Sequence, residues 1–333
     1  MNEKDLSVLE QYEVQVQGFR RGRGSFLVET DQGLKLFAEF SGTEKRLQFQ
    51  NRICEAVGRR GIVRADRVLP NREGNLISRD REERGFILKD WFEGRECSTR
   101  SEEDILRAVR ILAQLHREMR IPPEKENEEG YTDLERFRGI PLEQEFQKRI
   151  REMKKARAFM RGKNAKTPFE LKFLQTFDVF IEQAVGTEEK LAAGGDRELY
   201  EECLQNGCVC HGDYNQHHIY LSGKEAAVVD YSRSRYDVQV TDLYQFLRKI
   251  MEKQNWDGRL GMKMLREYGK IRPLSQREMT DLRLRLSFPE KFWKLANHYY
   301  NSRKSRMPEK GMEKLITLEN QEERRQKFIK IVE

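Results

Sequence analysis

A short apolar run, Cys208-Val209-Cys210, ends in His211-Gly212-Asp213, and an apolar pair, Val228-Val229, delivers a second acid, Asp230, 17 residues after Asp213. Two carboxylates at the ends of two short strands suit phosphoryl transfer. One orients an acceptor hydroxyl and takes its proton, and the other holds Mg²⁺ on nucleotide phosphates. Without chemistry, the same residues are a turn aspartate and a strand-end aspartate. What separates the two readings is the second acid at this spacing, late in a chain of 333 residues. A metal reading also exists, because Cys208, Cys210, His211, His217 and His218 crowd soft or borderline ligands into one short stretch. Their spacing is unlike the paired C-x₂-C pattern of structural zinc, and the two cysteines read more simply as small buried residues on a core strand.

The elements that must position these groups can be read from periodicity. Residues 12–17 alternate, a turn holds Gly18, Gly22 and Gly24, and residues 25–30 alternate again. Gln32-Gly33 is a hairpin signal, and residues 34–40 make a third strand. A helix is predicted over 43–57, short strands over 63–68 and 75–78, and a stronger strand over 86–92 that ends at Gly94. Helices dominate afterwards. Ser101 caps one whose face carries Ile105, Val109, Leu112, Ala113 and His116. Further faces follow at Leu142/Phe146/Ile150/Met153, at Phe173/Phe177/Ile181, at Leu243/Phe246/Leu247/Ile250 and at Phe292/Leu295/Tyr299, with a charged helix from Met312. The predicted organisation is a β-rich N-terminal lobe over residues 1–93 and a helical lobe over 94–333 that carries both acidic motifs. The cleft between lobes is the default ligand site.

Composition bounds the class. Hydrophobic residues make up 37% and charged residues 36% of the chain, and 18 Phe with 11 Tyr are too many for a disordered one. A net charge of +7, with both signs interspersed, suits an anionic ligand or surface without indicating nucleic acid. Lys148, Arg149, Arg151, Lys154, Lys155, Arg157, Arg161, Lys163 and Lys166 could contact phosphates, but a solvated or partner-facing helix is the expectation and nucleic acid is not. No window approaches 18 apolar residues, so no membrane span is expected. The N-terminus lacks an apolar signal core, and an odd number of irregularly spaced cysteines makes no disulfide framework. Cytoplasmic synthesis without a signal peptide is the expectation.

This order of elements resembles the aminoglycoside phosphotransferase and choline kinase branch of the protein-kinase-like fold. The matching signs are the glycine-bearing hairpin, FILKDWFEGRE leading out of the small lobe, a helix ending LAQLH, HGD, and VVD. KKARAFMRGKNAKTPFELKFLQTF, DLYQFLRKIMEKQNWD and FPEKFWKLANHYYNSRK are similar to the spore coat protein S family of endospore-forming bacteria, a kinase-fold family found with the spore coat. The resemblance implies an α+β, two-lobed protein-kinase-like (aminoglycoside phosphotransferase-like) fold, with a small β-rich N-lobe and a larger helical C-lobe. It implies a coat component with weak, divergent or lost phosphotransferase activity. The alternative is an active ATP-dependent phosphotransferase acting on a small-molecule hydroxyl or a coat protein. ATP with Mg²⁺ or Mn²⁺ is the implied cofactor, other spore coat proteins and an unknown small-molecule substrate are the implied partners, and the coat is the implied location.

By that resemblance Asp213 is the catalytic base, His211 supports its loop, and Asp230 is the metal-binding acid. Asp242 matches an acid used near the catalytic loop, and is equally a carboxylate favoured by a helix N-terminus. Two departures stand out. The position five residues after Asp213, where relatives carry a metal-binding Asn, is His218, which becomes a metal candidate although imidazole suits Mg²⁺ poorly. Asn215 sits too early in the motif. The strand-three position of the phosphate-binding Lys aligns with Ala38, while Lys35 is three residues earlier and on the opposite face unless the register slips. Lys35, Gly22, Gly24 and Asp90 are the cofactor-binding candidates. The turn with Arg20, Arg21 and Arg23 could cover phosphates or be a plain hairpin, and Glu44 is a candidate acid partner for the lysine.

Overall fold

The alternating N-terminal segments form hairpins, as expected, but the first of them starts later than the pattern suggests. In the computed structural model, which describes residues 1–22, 24–59, 61–123, 133–194, 196–301 and 309–332, the chain opens on a 3₁₀ helix over Glu3–Gln11. Asn2 caps it in a capping box with Asp5. Val8, Leu9 and Tyr12 are drawn into a core with Phe26, Val28, Phe37, Phe86 and Leu88. That burial takes Tyr12 out of the strand read over 12–17.

The chain divides into two compact units, Met1–Arg138 with Asn206–Tyr236, and Gly139–Gln205 with Asp237–Glu333. The expected boundary at 93/94 falls inside the first of these. Among the described residues, every strand belongs to the first unit and the second is helical.

The first unit contains β1 (Val16–Arg21), β2 (Ser25–Thr30), β3 (Gly33–Glu39), α1 (Glu44–Gly58), β4 (Arg64–Ala65), β5 (Val68–Leu69), β6 (Ser78–Arg79), β7 (Gly85–Asp90), β8 (Arg95–Glu96), α2 (Glu102–Glu118), α3 (Asp133–Phe137), β9 (Val209–Cys210), β10 (Ile219–Ser222), β11 (Glu225–Val228) and β12 (Arg235–Tyr236). Gly18 lies within β1 rather than in the turn, at a register shift against β2. The main sheet runs β1-β2-β3-β7-β5, with β6 on another stretch of β7. A second sheet runs β4-β11-β10-β8, and β12 pairs with β9.

The β3–β7 register decides which side chains share a face. Lys35 faces Asp90, Leu36 faces Lys89, Phe37 faces Leu88 and Ala38 faces Ile87, all antiparallel. Directly opposite residues lie on one side of a sheet, and successive residues alternate sides. Lys35, Phe37, Leu88 and Asp90 therefore share the side covered by the N-terminal 3₁₀ helix. Leu36, Ala38, Ile87 and Lys89 share the other, where Leu47 of α1 packs with Val68 and Ile87. Thr43 caps α1 by accepting the Arg46 N–H. Asn51 ties α1 to β5 through both its amide atoms, donating to the Val68 carbonyl and accepting from the Val68 N–H at 2.9 Å each.

The second unit is α4 (Leu142–Arg161), α5 (Pro168–Ala192), α6 (Asp196–Gln205), α7 (Val240–Lys253), α8 (Gly258–Ile271), α9 (Gln276–Ser287), α10 (Glu290–Asn301) and α11 (Glu309–Ile331). Its core is aromatic: Phe146 stacks on Phe288 at 4.2 Å between centroids, and Phe173 on Phe292 at 4.5 Å. The periodic face Leu142, Phe146, Ile150 and Met153 is buried there, as expected.

Candidate active site

Asp213 is placed by three features of its own loop. β9 is buried along its length, and His211, which follows it, is fully buried. Gly212 has φ +82, and a Cβ there would lie 2.1 Å from the Arg233 carbonyl oxygen, so only glycine fits. The His211 ring then joins the two acidic motifs. Its Nδ1 accepts the Asp213 N–H at 3.3 Å, which leaves Nε2–H to donate to the Val229 carbonyl at 3.1 Å. One imidazole thus locks the backbone of the first aspartate to the residue before the second.

Asp230 follows β11 in a left-handed conformation, φ 65 and ψ 62, a backbone state that costs energy for a non-glycine residue and collects at functional sites. Its N–H donates to Asp66 Oδ2 at 2.9 Å, and its own Oδ1 accepts the Ser232 N–H at 3.4 Å. Arg46 of α1 reaches the Ser232 carbonyl through Nε at 2.9 Å and steadies the same turn. Burial pushes the Asp230 carboxyl up, but the Ser232 hydrogen bond and the charges of Lys89 and His218 outweigh it and hold the group below the usual carboxylate range. Asp230 is therefore ionised at neutral pH.

His218 spans the two acids. Its Nδ1 lies 2.8 Å from the Asp213 carbonyl oxygen, and its Nε2 lies 3.5 Å from Asp230 Oδ2. The shorter contact requires the proton on Nδ1. Nε2 then faces a carboxylate oxygen, where it either donates a proton to Asp230 directly or shares a bound cation with it. A metal-bound histidine commonly donates its other N–H to a backbone carbonyl, as here. Asn215, which caps the short 3₁₀ turn Gln216–His218, donates to the Asp213 carboxylate at 3.1 Å and orients it. Among the described residues, no three His, Cys, Asp or Glu side chains form a metal cluster. The zinc reading thus finds no support: His217 instead pairs with Glu96 at 2.6 Å. Asp230 and His218 would be the two protein ligands of a hard cation that also took phosphate oxygens and water.

The cofactor-binding candidates lie elsewhere. Lys35 donates to Asp90 at 2.7 Å and to the Gln32 carbonyl at 2.9 Å. Both residues line an open cavity of about 1000 Å³ with Trp91, Phe92 and the end of α1. Asp213, His218 and Asp230 are not among its lining residues. The register contains no slip that would bring Lys35 to the Ala38 side. Gly22 and Gly24 flank the β1–β2 turn, where the Gly22 N–H donates to the Ser25 carbonyl at 2.8 Å and Gly24 has φ +75. Arg23 lies outside the described residues. Glu44 accepts the Leu76 N–H at 3.2 Å. Asp242 is fully buried in the first turn of α7, in the other unit.

Sequence reasoning passed over Lys89 and Asp66. Lys89 Nζ donates to Asp66 Oδ2 at 2.5 Å, so Asp66 accepts from both Lys89 and the Asp230 backbone. The available signal was a lysine on the apolar strand FILKD, on the side that alternation assigns to Ala38.

The family model described as "Spore coat putative kinase YutH" matches residues 5–332. The chain belongs to that family. It is similar to spore coat protein S of Bacillus subtilis (strain 168), with 23% identity over 305 residues, covering 87% of this chain and 81% of that protein. Among solved structures, it is similar to an aminoglycoside phosphotransferase from Alicyclobacillus acidocaldarius, with a TM-score of 0.81 at 18% identity, covering 98% of this chain and 94% of that one. It also resembles an amicoumacin kinase solved with AMP-PNP and Ca²⁺, with a TM-score of 0.62 at 10% identity, covering 98% of this chain and 94% of that one. The fold is therefore aminoglycoside-phosphotransferase-like, with a β-sheet N-terminal region and a helical C-terminal region. Among the described residues, no helix is long and apolar enough to cross a membrane.

Proposed function

We propose that this member of the spore coat kinase-like family is a coat protein that keeps a metal–nucleotide site and carries a slow, divergent phosphotransferase activity. Asp213 orients an acceptor hydroxyl and takes its proton, and Asp230 with His218 holds the cation. A bound divalent ion would supply charge neutralisation on the phosphates. The observation that carries the reading is the His218 ring, donating to the Asp213 carbonyl while its other nitrogen faces Asp230 Oδ2 at 3.5 Å. The nitrogen–oxygen ligand pair favours Mn²⁺ over Mg²⁺, because imidazole suits softer ions. Placement in the coat follows the names of the family and of spore coat protein S. The exposed cations Lys148, Arg151, Lys154, Lys155 and Arg161 along α4 suit an acidic coat partner.

A second reading, a coat component that has lost transfer, is favoured by Ala38 and by the engagement of Lys35 with Asp90. A thermal-shift titration with ATP and ADP, each with no metal, MgCl₂ or MnCl₂, tests the proposal. Ligands that bind the native state raise its melting temperature by mass action. A nucleotide shift that requires metal and is larger with MnCl₂ is expected. No shift with either metal would overturn the site, and binding without any phosphate transfer would decide for the second reading.

A further inference from the structure

A phosphotransferase site needs a cation against the nucleotide phosphates, and Ala38 cannot supply one. We propose that Lys89 is that cation, reaching from β7 the phosphates that a lysine at position 38 would have reached from β3. The inference rests on the metal–nucleotide reading above and deepens it.

Four observations carry it. First, Lys89 is on the Ala38 side of the sheet: Ala38 faces Ile87, and Lys89 is the next residue of β7 on that side. The ammonium is thus displaced by one strand and by about 7 Å along it. Second, Asp66 Oδ2 receives Lys89 Nζ at 2.5 Å and the Asp230 N–H at 2.9 Å, so one carboxylate oxygen separates the ammonium from the backbone of the metal-binding acid. Third, an ammonium has three donors. Among the described residues its hydrogen bond goes to Asp66, with the Trp91 ring centroid 5.5 Å away, which leaves donors for phosphate oxygens. Fourth, burial acts against the charge of Lys89, but Asp66 and Asp230 overcome it and raise the group above the ordinary lysine range. Lys35 is a poor competitor, since it bonds to Asp90 and the Gln32 carbonyl on the opposite side.

The test separates phosphate recognition from fold support by comparing ADP with adenosine, each titrated calorimetrically into the full chain with MnCl₂. The wild type is expected to prefer ADP. Lys89→Met should weaken ADP about tenfold or more and leave adenosine unchanged. Adding Ala38→Lys to Lys89→Met should restore much of the ADP preference. Should Lys89→Met fail to fold because Asp66 is left uncompensated, Lys89→Met with Asp66→Asn removes both charges and answers the same question. An ADP-to-adenosine preference unchanged by these variants overturns the inference, as does a wild type that binds both equally. A wild type that binds neither overturns the metal–nucleotide reading itself, and this inference with it.

Discussion

Two lysine–carboxylate pairs occupy adjacent positions on β7 and opposite sides of one sheet, and they are built differently. Lys35–Asp90 is a direct cross-strand pair with a carbonyl taking a second lysine donor. Its carboxylate is 32% exposed, and the residues beside it pack under the N-terminal 3₁₀ helix. Lys89–Asp66 joins β7 to the segment between β4 and β5. Its carboxylate is only 3% exposed, and it also fixes the backbone of Asp230. The first pair closes on itself, and the second leads through Asp230 and His218 to Asp213. Side of the sheet, rather than residue type, separates a pair that lines an open cavity from one tied to the backbone of Asp230.

The largest effect that sharpens this contrast is expected at the far end of the second chain of contacts. Asp213→Asn keeps the size of the side chain but removes the proposed proton acceptor. It should lower phosphate transfer by about 10²–10⁴-fold while moving the melting temperature little. A variant that transfers phosphate as fast as the wild type would remove Asp213 from the mechanism.

Next come the lysines themselves, read by denaturant unfolding. Lys89→Met leaves Asp66 buried and unpaired, which costs about 3–5 kcal/mol. Lys35→Met leaves Asp90 partly in water and should cost about 1 kcal/mol. The pH dependence carries the same asymmetry. Lys89 is raised in the folded state, so its contribution is fully present below the unfolded lysine value and is lost as pH rises through the raised one. Lys89→Met should therefore flatten the alkaline limb of the stability profile. Equal losses for the two variants would break the comparison.

A smaller, purely steric effect tests the loop that brings Asp213 to this side. Gly212→Ala forces a Cβ against the Arg233 carbonyl at a positive φ, and a loss of about 2–3 kcal/mol is expected. If unfolding shows no change, the His211–Asp213 loop is not held as tightly as its contacts imply.

How much of this was legible beforehand follows from the range of each interaction. The helix that starts at Thr43 and the Ser101 cap depend on residues close in sequence, and the chain displays them openly, as it does the HGD and VVD motifs. The alternation over residues 12–17 misled because Tyr12 is buried by a helix cap rather than by strand pairing, and local periodicity cannot tell the two apart. Lys89–Asp66 was missed for a different reason. Its partners are 23 positions apart on a short, irregular crossing, and nothing local marks a strand lysine as buried. Lys35 stands out in the sequence instead because it is the lysine of β3, although alternation places it on the side away from Ala38.

His218 gives the smallest and most selective effect. The ring does two things: Nδ1–H holds the Asp213 carbonyl, and Nε2 faces Asp230. Asparagine can keep one of these roles through its amide nitrogen and offer oxygen in the other. His218→Asn should therefore leave the fold and Asp213 in place while exchanging a nitrogen ligand for an oxygen ligand. Mg²⁺ prefers oxygen strongly, whereas Mn²⁺ accepts either, so the ratio of Mg²⁺- to Mn²⁺-supported ADP binding should rise by up to about tenfold. His218→Ala, which supplies no ligand, should weaken binding with both ions and separate ligand exchange from simple loss of the side chain. If the metal ratio is the same for histidine, asparagine and alanine, His218 holds no metal. Its 3.5 Å approach to Asp230 is then an ion pair of a protonated ring with a carboxylate, and the side of the sheet that carries Lys89 would end in a charge network rather than in a catalytic one.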